Sequence, residues 1–300
     1  MTTRSRGPGA AFGWLSRGIS VGFDEPKLLF GAAALVALAV MLPVLITLPI
    51  QIYTLHADTP LQAGVFGWIT ILSMLLGLFA VPLYAGYLQV VDAVEHGLLP
   101  RARDIVKPYR EGKAPRLIGY GFLMLVIYFT MFAIVIAVTG GSTTHWYMHA
   151  LNAQANHQQP PVGLPDGFGI TLLLSLALAI FLLGFYSISL GQLTLHNRSV
   201  LGAIGDGLIG ALKNVLPLLM LAVSLFVIWI GVAFCFGILV LLVTLIGKLV
   251  GPWLIFLLIV PLYIALLLMV FTAMFGVMYH LWRDVCGDDS VTGMAEPLVA

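Results

Sequence analysis

Six long runs of the sequence contain no Asp, Glu, Lys or Arg, and they constrain the fold more than any other feature. The runs cover residues 28–53, 66–91, 117–138, 170–195, 216–246 and 253–282. About 20 apolar residues in a helix cross the ~30 Å hydrocarbon layer of a membrane, and every run is at least that long. Lipid offers no partner to a free backbone amide, so each run is predicted to be helical. We therefore expect an all-α fold, a polytopic transmembrane helical bundle with six spans.

The composition excludes a soluble domain. Of the 300 residues, 60% are hydrophobic and 9% are charged, and the mean hydropathy is +1.04. A soluble domain has about 25% charged residues. The formal net charge of +1 provides no basic surface that would attract nucleic acid, so no nucleic-acid partner is expected. The partners that this composition predicts are membrane lipids.

The basic residues are distributed unevenly among the segments that connect the runs. Thirteen of the fourteen lie before the first run or after the second, fourth or sixth, and the remaining segments contain only Lys248. The positive-inside rule therefore predicts that both termini are cytoplasmic. Residues 287–300 are expected to form a disordered cytoplasmic tail.

Three cytoplasmic stretches have the apolar periodicity of an amphipathic helix: residues 11–23, 102–109 and 200–212. Such a helix either lies in the headgroup layer of the membrane or packs on the end of the bundle, and the sequence leaves both alternatives open. The stripe residues of the first and third stretches are Phe12, Leu15, Ile19, Phe23, Leu201, Ile204, Leu208 and Leu212.

A surface helix followed by a two-span hairpin occurs three times along the chain, which indicates a repeat. The three repeats are residues 11–91, 102–195 and 200–282 of a single transmembrane domain that occupies residues 1–300. Spans one and three both begin with Pro, a basic residue and Leu, and proline is well tolerated in the first turn of a helix.

Prolines and glycines inside the spans predict local features of the bundle. An internal proline removes a backbone hydrogen bond and is expected to kink its helix, while a glycine allows close contact between helices. The prolines are Pro43, Pro49, Pro82 and Pro261, and the glycines are Gly77, Gly86, Gly184 and Gly191.

One histidine lies near the cytoplasmic end of each even-numbered span: His96, His196 and His280. Three imidazoles can hold zinc and leave a fourth position for water, as in catalytic zinc sites. However, the spacing is too wide for a local motif and interfacial histidines are common. The sequence therefore favours three separate histidines and predicts no metal-binding or cofactor-binding residues.

The longest external segment, residues 139–169, carries several histidines and aromatic residues. His145 and His149 would share one helical face and could bind a metal, but no H-E-x-x-H pattern is present. Trp146 and Tyr147 fit an aromatic belt at the membrane surface, which is the favoured interpretation. The same segment contains His157.

Three segments resemble a known group of bacterial proteins. They are Gly13-Trp14-Leu15, Val81-Pro82-Leu83-Tyr84-Ala85-Gly86 and the basic residues between positions 101 and 116. In these segments the chain resembles the uncharacterised six-span inner-membrane proteins of proteobacteria. More distantly, it resembles the membrane domain of bacterial glycerophosphoryl diester phosphodiesterases. The resemblance implies a bacterial inner (plasma) membrane and a bundle of hairpin repeats, but not phosphodiesterase activity, because the catalytic barrel of those enzymes is absent.

The sequence contains none of the common motifs of nucleotide or hydrolase chemistry. It has no Walker A motif, no G-x-G-x-x-G after a strand and no G-x-S-x-G, and the span centres carry no ionisable side chain. We therefore expect no catalytic residues; a metal-dependent membrane enzyme is the less favoured reading. The favoured function is a non-enzymatic envelope protein that binds lipid or a protein partner. The alternative is a transporter or permeability pathway for an uncharged or amphiphilic solute.

Residues 101–116, which we call the basic segment, form the most basic part of the chain. Six basic residues stand there against Asp104 and Glu111. Near an anionic leaflet each basic group contributes about 1 kcal/mol of binding energy. The alternative is that these charges only set the topology. The candidate contacts to anionic lipid are Arg101, Arg103, Lys107, Arg110, Lys113 and Arg116.

Overall fold

The computed structural model of the chain describes residues 3–56, 63–155, 158–159, 161–251 and 253–287. Within these ranges all regular structure is helical, so the all-α prediction is confirmed. The predicted tail beyond residue 287 and His157 lie outside the described residues. The helices are α1 (Ala10–Asp24), α2 (Pro26–His56), α3 (Ala63–Gly77), α4 (Val81–Glu95), α5 (Lys107–Arg110), α6 (Ala114–Val138), α7 (Ser142–Ala155), α8 (Phe168–Thr194), α9 (Val200–Lys213), α10 (Val215–Val250) and α11 (Trp253–Cys286), with 3₁₀ helices at Leu78–Ala80 and Ala102–Val106.

Six helical stretches are long and apolar enough to cross a membrane, and each coincides with one charge-free run of the sequence. The chain is therefore a multi-pass membrane protein, and the prediction of six spans is confirmed. The candidate spans are Pro26–Pro49, Gly67–Glu95, Ala114–Val138, Phe168–Thr194, Val215–Lys248 and Phe256–Cys286.

The second span is interrupted by the 3₁₀ helix Leu78–Ala80, immediately before α4. Pro82 has no amide hydrogen to donate to the carbonyl of Leu78, so the regular α-helical pattern is lost there. The proline then occupies the first turn of α4, where the missing hydrogen has no consequence. At Pro43 and Pro49 in α2, and at Pro261 in α11, the helix continues through the proline.

The described chain forms two compact units, each built from separate stretches of sequence. Unit 1 contains Met1–Ala34, Tyr87–Asp104 and Leu183–Ala300, and unit 2 contains Leu35–Gly86 and Ile105–Leu182. Helices α2, α4 and α8 therefore contribute residues to both units. The three hairpin repeats stay a prediction from the sequence.

In unit 1, α1 packs against α11 through two glycines. A Cβ added to Gly18 would lie 2.5 Å from the backbone nitrogen of Val277, and one added to Gly276 would lie 2.3 Å from the carbonyl oxygen of Gly18. Small residues allow this backbone-to-backbone approach between helices. The contact buries Trp14 completely, and its Nε1–H donates a hydrogen bond to Asp284 Oδ2 at 2.9 Å.

Most large side chains of the predicted apolar stripes are not buried in the two longer surface helices, and small residues contribute to the buried face of both. In α1 the stripe residue Leu15 is buried, but Phe12, Ile19 and Phe23 are exposed. The same division occurs in α9, where the large side chains of the stripe remain accessible. These helices therefore pack on their unit and also keep an apolar face free for lipid. The buried residues of α9 are Ala203, Gly207, Gly210 and Ala211, and its exposed stripe residues are Leu201, Leu208 and Leu212.

Three of the four glycines expected to allow close contacts do so. A Cβ would lie 1.9 Å from the Ile105 carbonyl oxygen at Gly86, 2.3 Å from Leu218 Cδ1 at Gly184 and 2.2 Å from Trp282 Cγ at Gly191. The expectation is wrong for Gly77, where no atom lies within 4 Å of the added carbon. Gly77 precedes the 3₁₀ helix, and its open side is compatible with a lipid-facing position.

Candidate functional site

The part of the basic segment that belongs to unit 2 is held against α4 and the preceding 3₁₀ helix. At Gly86 any side chain would overlap the backbone of Ile105, so glycine is needed for this approach. Ile105 and Pro108 are buried, and the Tyr109 hydroxyl donates a hydrogen bond to the Phe79 carbonyl. The segment is therefore a fixed element of unit 2.

The predicted amphipathic helix over residues 102–109 is formed in two short pieces. The 3₁₀ helix Ala102–Val106 leads into α5, which covers Lys107–Arg110. A continuous α-helix would need an amide hydrogen at Pro108 to bond the carbonyl of Asp104, and proline has none. Proline is tolerated in the first turn of α5, which explains why the second piece starts where it does.

The charges of this segment in unit 2 are only partly neutralised. Glu111 accepts from Lys113 Nζ at 2.7 Å and lies 3.8 Å from Lys107 Nζ. The hydrogen bond from Lys113 lowers the pKa of the Glu111 carboxyl, which is therefore charged at neutral pH. Arg110 is exposed, and within the described residues its side chain makes no ion pair or hydrogen bond. Its guanidinium is thus available to an anionic ligand.

An apolar groove of about 380 Å³ lies beside these charges in unit 2. Residues of α2, α3, α4 and the 3₁₀ helix between them line it, and the basic segment completes it with Val106 and Tyr109. These two residues flank Lys107 in the sequence, and Arg110 directly follows Tyr109. A chain that occupied the groove would therefore end beside basic side chains. The other lining residues are Ala39, Leu42, Pro43, Ile46, Leu76, Phe79, Ala80 and Leu83.

The structure divides the six predicted lipid contacts between the units. Lys107, Arg110, Lys113 and Arg116 belong to unit 2, whereas Arg101 and Arg103 belong to unit 1. In unit 1 the backbone amide of Arg101 donates to Asp104 Oδ2 at 2.7 Å. The contact of these residues with anionic lipid stays a prediction.

Unit 1 contains a polar cavity of about 410 Å³ between the ends of α4, α8 and α11 and the N-terminal part of the chain. All three predicted histidines line it. His96 Nδ1 lies 2.7 Å from the Asp92 carbonyl oxygen, and His196 Nδ1 lies 2.7 Å from Gln192 Oε1. The side chain of His280 is 2% exposed, and neither of its ring nitrogens has a hydrogen-bond partner.

The shared cavity does not give the three histidines the arrangement of a metal site. Within the described ranges, no group of three or more His, Cys, Asp or Glu side chains could hold a metal ion. His96 and His196 interact instead with groups four residues earlier in their own stretches of chain. The geometry therefore offers no support for the zinc alternative.

Polar contacts within unit 1 surround the cavity, and no pattern in the sequence predicts them. Tyr279 donates to Asp92 Oδ1 at 2.9 Å, and Arg283 Nη1 lies 3.3 Å from Glu95 Oε2. The partners in these pairs are 187 and 188 positions apart, so no local motif could have indicated them. The ends of α4 and α11 are joined by these contacts.

The N-terminal segment that precedes α1 is anchored beside the polar cavity. Arg6 Nη2 lies 2.9 Å from Asp284 Oδ1 and also donates to the Asp284 carbonyl oxygen at 2.9 Å. The backbone amide of Arg6 donates to Asn214 Oδ1 at 2.8 Å, between α9 and α10. These bonds fix one wall of the polar cavity.

Comparisons of the chain with protein-family models, with curated proteins and with solved structures found no match. The resemblance to proteobacterial inner-membrane proteins therefore stays a prediction from the quoted segments.

The segment of unit 2 that is predicted to be external contains α7, on which His145 and His149 lie. Trp146 Nε1–H donates to the Gly163 carbonyl oxygen at 2.9 Å, and Tyr147 is exposed. The tryptophan thus ties α7 to the loop that follows it. The aromatic belt stays a prediction for this helix.

Proposed function

We propose that this protein is a non-enzymatic membrane protein that binds an anionic phospholipid of the cytoplasmic leaflet. The observation that carries the proposal is the position of the apolar groove in unit 2. Val106 and Tyr109 line it, and Lys107 and Arg110 are adjacent to them in the sequence. An acyl chain in the groove would bring its headgroup to the basic segment.

The charges, and not the groove, would determine which lipid is bound. An acyl chain gains little on leaving bilayer hydrocarbon for an apolar groove, because the two environments are equally apolar. Each basic side chain near an anionic headgroup contributes about 1 kcal/mol. The guanidinium of Arg110 is unpaired within the described residues, and arginine binds phosphate oxygens through two parallel hydrogen bonds. The groove positions the lipid and the cations select an anionic headgroup.

The proposal requires the basic segment to face the cytoplasm, as expected for a bacterial inner-membrane protein with both termini inside. The uneven distribution of Lys and Arg supports this orientation.

We predict that position 300 is cytoplasmic and that the region near Gln158 is external. A reporter fused after Ala300 should therefore be active only if it functions in the cytoplasm, and a reporter inserted near Gln158 only if it functions outside the cell membrane. The reason is the even number of spans combined with the basic segments on one side. Paired fusions of alkaline phosphatase and green fluorescent protein measure both positions. An external C-terminus would contradict the orientation and, with it, the leaflet assigned to the lipid.

We predict that replacing Lys107 and Arg110 together by glutamine lowers the preference for phosphatidylglycerol over phosphatidylethanolamine by about 10- to 30-fold, because two cations of about 1 kcal/mol each are removed. The lower end of this range, about 10-fold, allows for the partial neutralisation of Lys107 by Glu111. Native mass spectrometry of protein released from nanodiscs of mixed composition measures the retained lipids.

The matched control is Lys27→Gln, which removes an exposed cation near the start of α2 that belongs to unit 1 and does not line the groove. It is expected to retain phosphatidylglycerol as the wild type does. Equal retention in the double variant and the wild type would leave the basic segment as a determinant of topology only. Equal losses in the double variant and the control would indicate a nonspecific effect of net charge.

A further inference from the structure

The carboxylates around the polar cavity of unit 1 already have partners. Asp92 accepts from Tyr279, Glu95 pairs with Arg283, and Asp284 accepts from both Trp14 and Arg6. Two of these carboxylates are neutralised by arginines, whereas Asp92 accepts from the uncharged Tyr279 hydroxyl. The three arginines and three carboxylates of the lining therefore balance in formal charge, and the groups that still lack a partner are hydrogen-bond donors.

Arg17 is the arginine of the cavity lining that makes no ion pair within the described residues. It lies on the exposed side of α1 and lines the cavity, and its Nε donates to the Gly13 carbonyl oxygen at 3.2 Å. No carboxylate pairs with it in the described parts of the chain, in contrast to Arg6 and Arg283. A guanidinium has five N–H donors, so most of those on Arg17 are free for a ligand.

Two buried side chains in the same cavity lack hydrogen-bond partners. The Nε1–H of Trp282 has none although the residue is 5% exposed, and neither ring nitrogen of His280 has one, since the Glu95 carboxylate lies 3.6 Å from His280 Nε2, beyond hydrogen-bond distance. Leaving such a buried group unpaired is costly, so proteins rarely do so without a bound water, ion or ligand. The indole can only donate, and a neutral imidazole has one nitrogen that donates.

The position of Trp282 is fixed by packing. A Cβ on Gly191 would lie 2.2 Å from Trp282 Cγ, and the indole ring stacks edge-on against His196 with centroids 5.0 Å apart. The unpaired N–H therefore cannot turn away to find a partner elsewhere without breaking the contact between α8 and α11. This rigidity is what a preformed site requires.

We propose that the polar cavity is a binding site for a phosphate group, held by Arg17, Trp282 and His280. A phosphate group combines negative charge with several acceptor oxygens, which matches one unpaired guanidinium and two unpaired N–H donors around a space of about 410 Å³. A divalent metal does not match this set, because within the described residues no group of metal-ligating side chains is in place. The site is separate from the apolar groove, which lies in unit 2.

The phosphate group has two chemical sources: a soluble phosphate or phosphomonoester, or the headgroup of a phospholipid. One experiment separates them by using the full-length protein in two settings. In a neutral maltoside detergent and phosphate-free buffer, inorganic phosphate is titrated calorimetrically. In nanodiscs that contain phosphatidylglycerol and phosphatidylethanolamine, retained lipid is counted by native mass spectrometry.

Arg17→Gln and Trp282→Phe are the test variants, and Lys27→Gln is the control. The phenylalanine retains a ring that can pack on Gly191 but has no N–H, and Arg17 is exposed, so both variants are expected to fold. Lys27 is also an exposed cation of unit 1, but it does not line the cavity and is not one of the six candidate lipid contacts. We expect phosphate affinity to fall about tenfold in Arg17→Gln and about fivefold in Trp282→Phe, and to be unchanged in Lys27→Gln.

Loss in the calorimetric arm identifies a soluble phosphate ligand. Loss of one retained lipid in both test variants, but not in the Lys107→Gln, Arg110→Gln double variant, identifies a headgroup that is bound in the cavity. The proposal is overturned if neither arm depends on Arg17 and Trp282, or if Lys27→Gln weakens binding as much as Arg17→Gln. Because the groove variants lie in unit 2, failure of this proposal and failure of the proposed lipid binding are distinguishable.

Discussion

Replacing Gly18 by alanine is expected to lower the free energy of unfolding by about 2–3 kcal/mol, although only one carbon is added. That carbon would lie 2.5 Å from the backbone nitrogen of Val277 and 2.6 Å from its Cγ2, and backbone cannot move aside as a flexible side chain can. Helix α1 would have to shift away from α11. The shift would expose Trp14, which is completely buried, and break its hydrogen bond to Asp284.

Gly13→Ala on the same helix is the matched control for this prediction. Its added carbon would meet only the end of the Arg17 side chain, at 3.4 Å. Alanine has a higher helix propensity than glycine, so this variant is expected to gain up to about 1 kcal/mol. Denaturant unfolding in detergent micelles measures both variants, and limited proteolysis before α2 reports the release of α1. Equal stability of Gly18→Ala and Gly13→Ala would contradict the close packing of α1 on α11.

The spans could be predicted from the sequence because a single physical requirement determines them. The hydrocarbon layer of a membrane excludes charged side chains, and across its fixed thickness the backbone must satisfy its own hydrogen bonds. Six charge-free runs therefore form six helical stretches. The run of residues 216–246 is long enough to have formed two segments, and α10 instead continues from Val215 to Val250. Among the described residues, a change of helix type interrupts one span, the one in which Pro82 follows a 3₁₀ helix.

The packed faces of the surface helices could not be predicted in the same way. Hydrophobic periodicity identified Phe12, Leu15, Ile19 and Phe23 as the apolar face of α1, and of these only Leu15 is buried. In a soluble protein such a face would be buried against the core. In a membrane protein large apolar side chains can remain against lipid, and close contacts between helices select small residues. The buried face of α1 therefore also includes Gly18 and Gly22, which hydropathy does not mark as packing residues.

The polar cavity was even less predictable from the sequence. The histidines His96, His196 and His280 were noticed because they recur at equivalent positions in the hairpins, and the structure places all three around one cavity. Their neighbours Arg17 and Trp282 had no such signal. The bond from Trp14 to Asp284 joins residues 270 positions apart, and a single sequence contains no pattern that pairs them.

Gly86→Ala is expected to lower the retention of phosphatidylglycerol as strongly as the removal of Lys107 and Arg110, although it changes no charge. An added Cβ would lie 1.9 Å from the Ile105 carbonyl oxygen, so the basic segment could not keep its place on α4. Displacement would remove Val106 and Tyr109 from the groove and break the hydrogen bond from Tyr109 to the Phe79 carbonyl. The free energy of unfolding is expected to fall by about 2–3 kcal/mol, which is the cost of severe overpacking.

Gly77→Ala in the same span provides the control, because no atom lies within 4 Å of its added carbon. It is expected to keep lipid retention unchanged and to gain up to about 1 kcal/mol from helix propensity. Retention is measured by native mass spectrometry from mixed nanodiscs, at a temperature where both variants are folded. If Gly86→Ala retained phosphatidylglycerol as Gly77→Ala does while its stability fell, the cations would act without the groove. Lipid selection would then be a property of the charges alone, because the apolar groove is complete only when the basic segment is docked on α4.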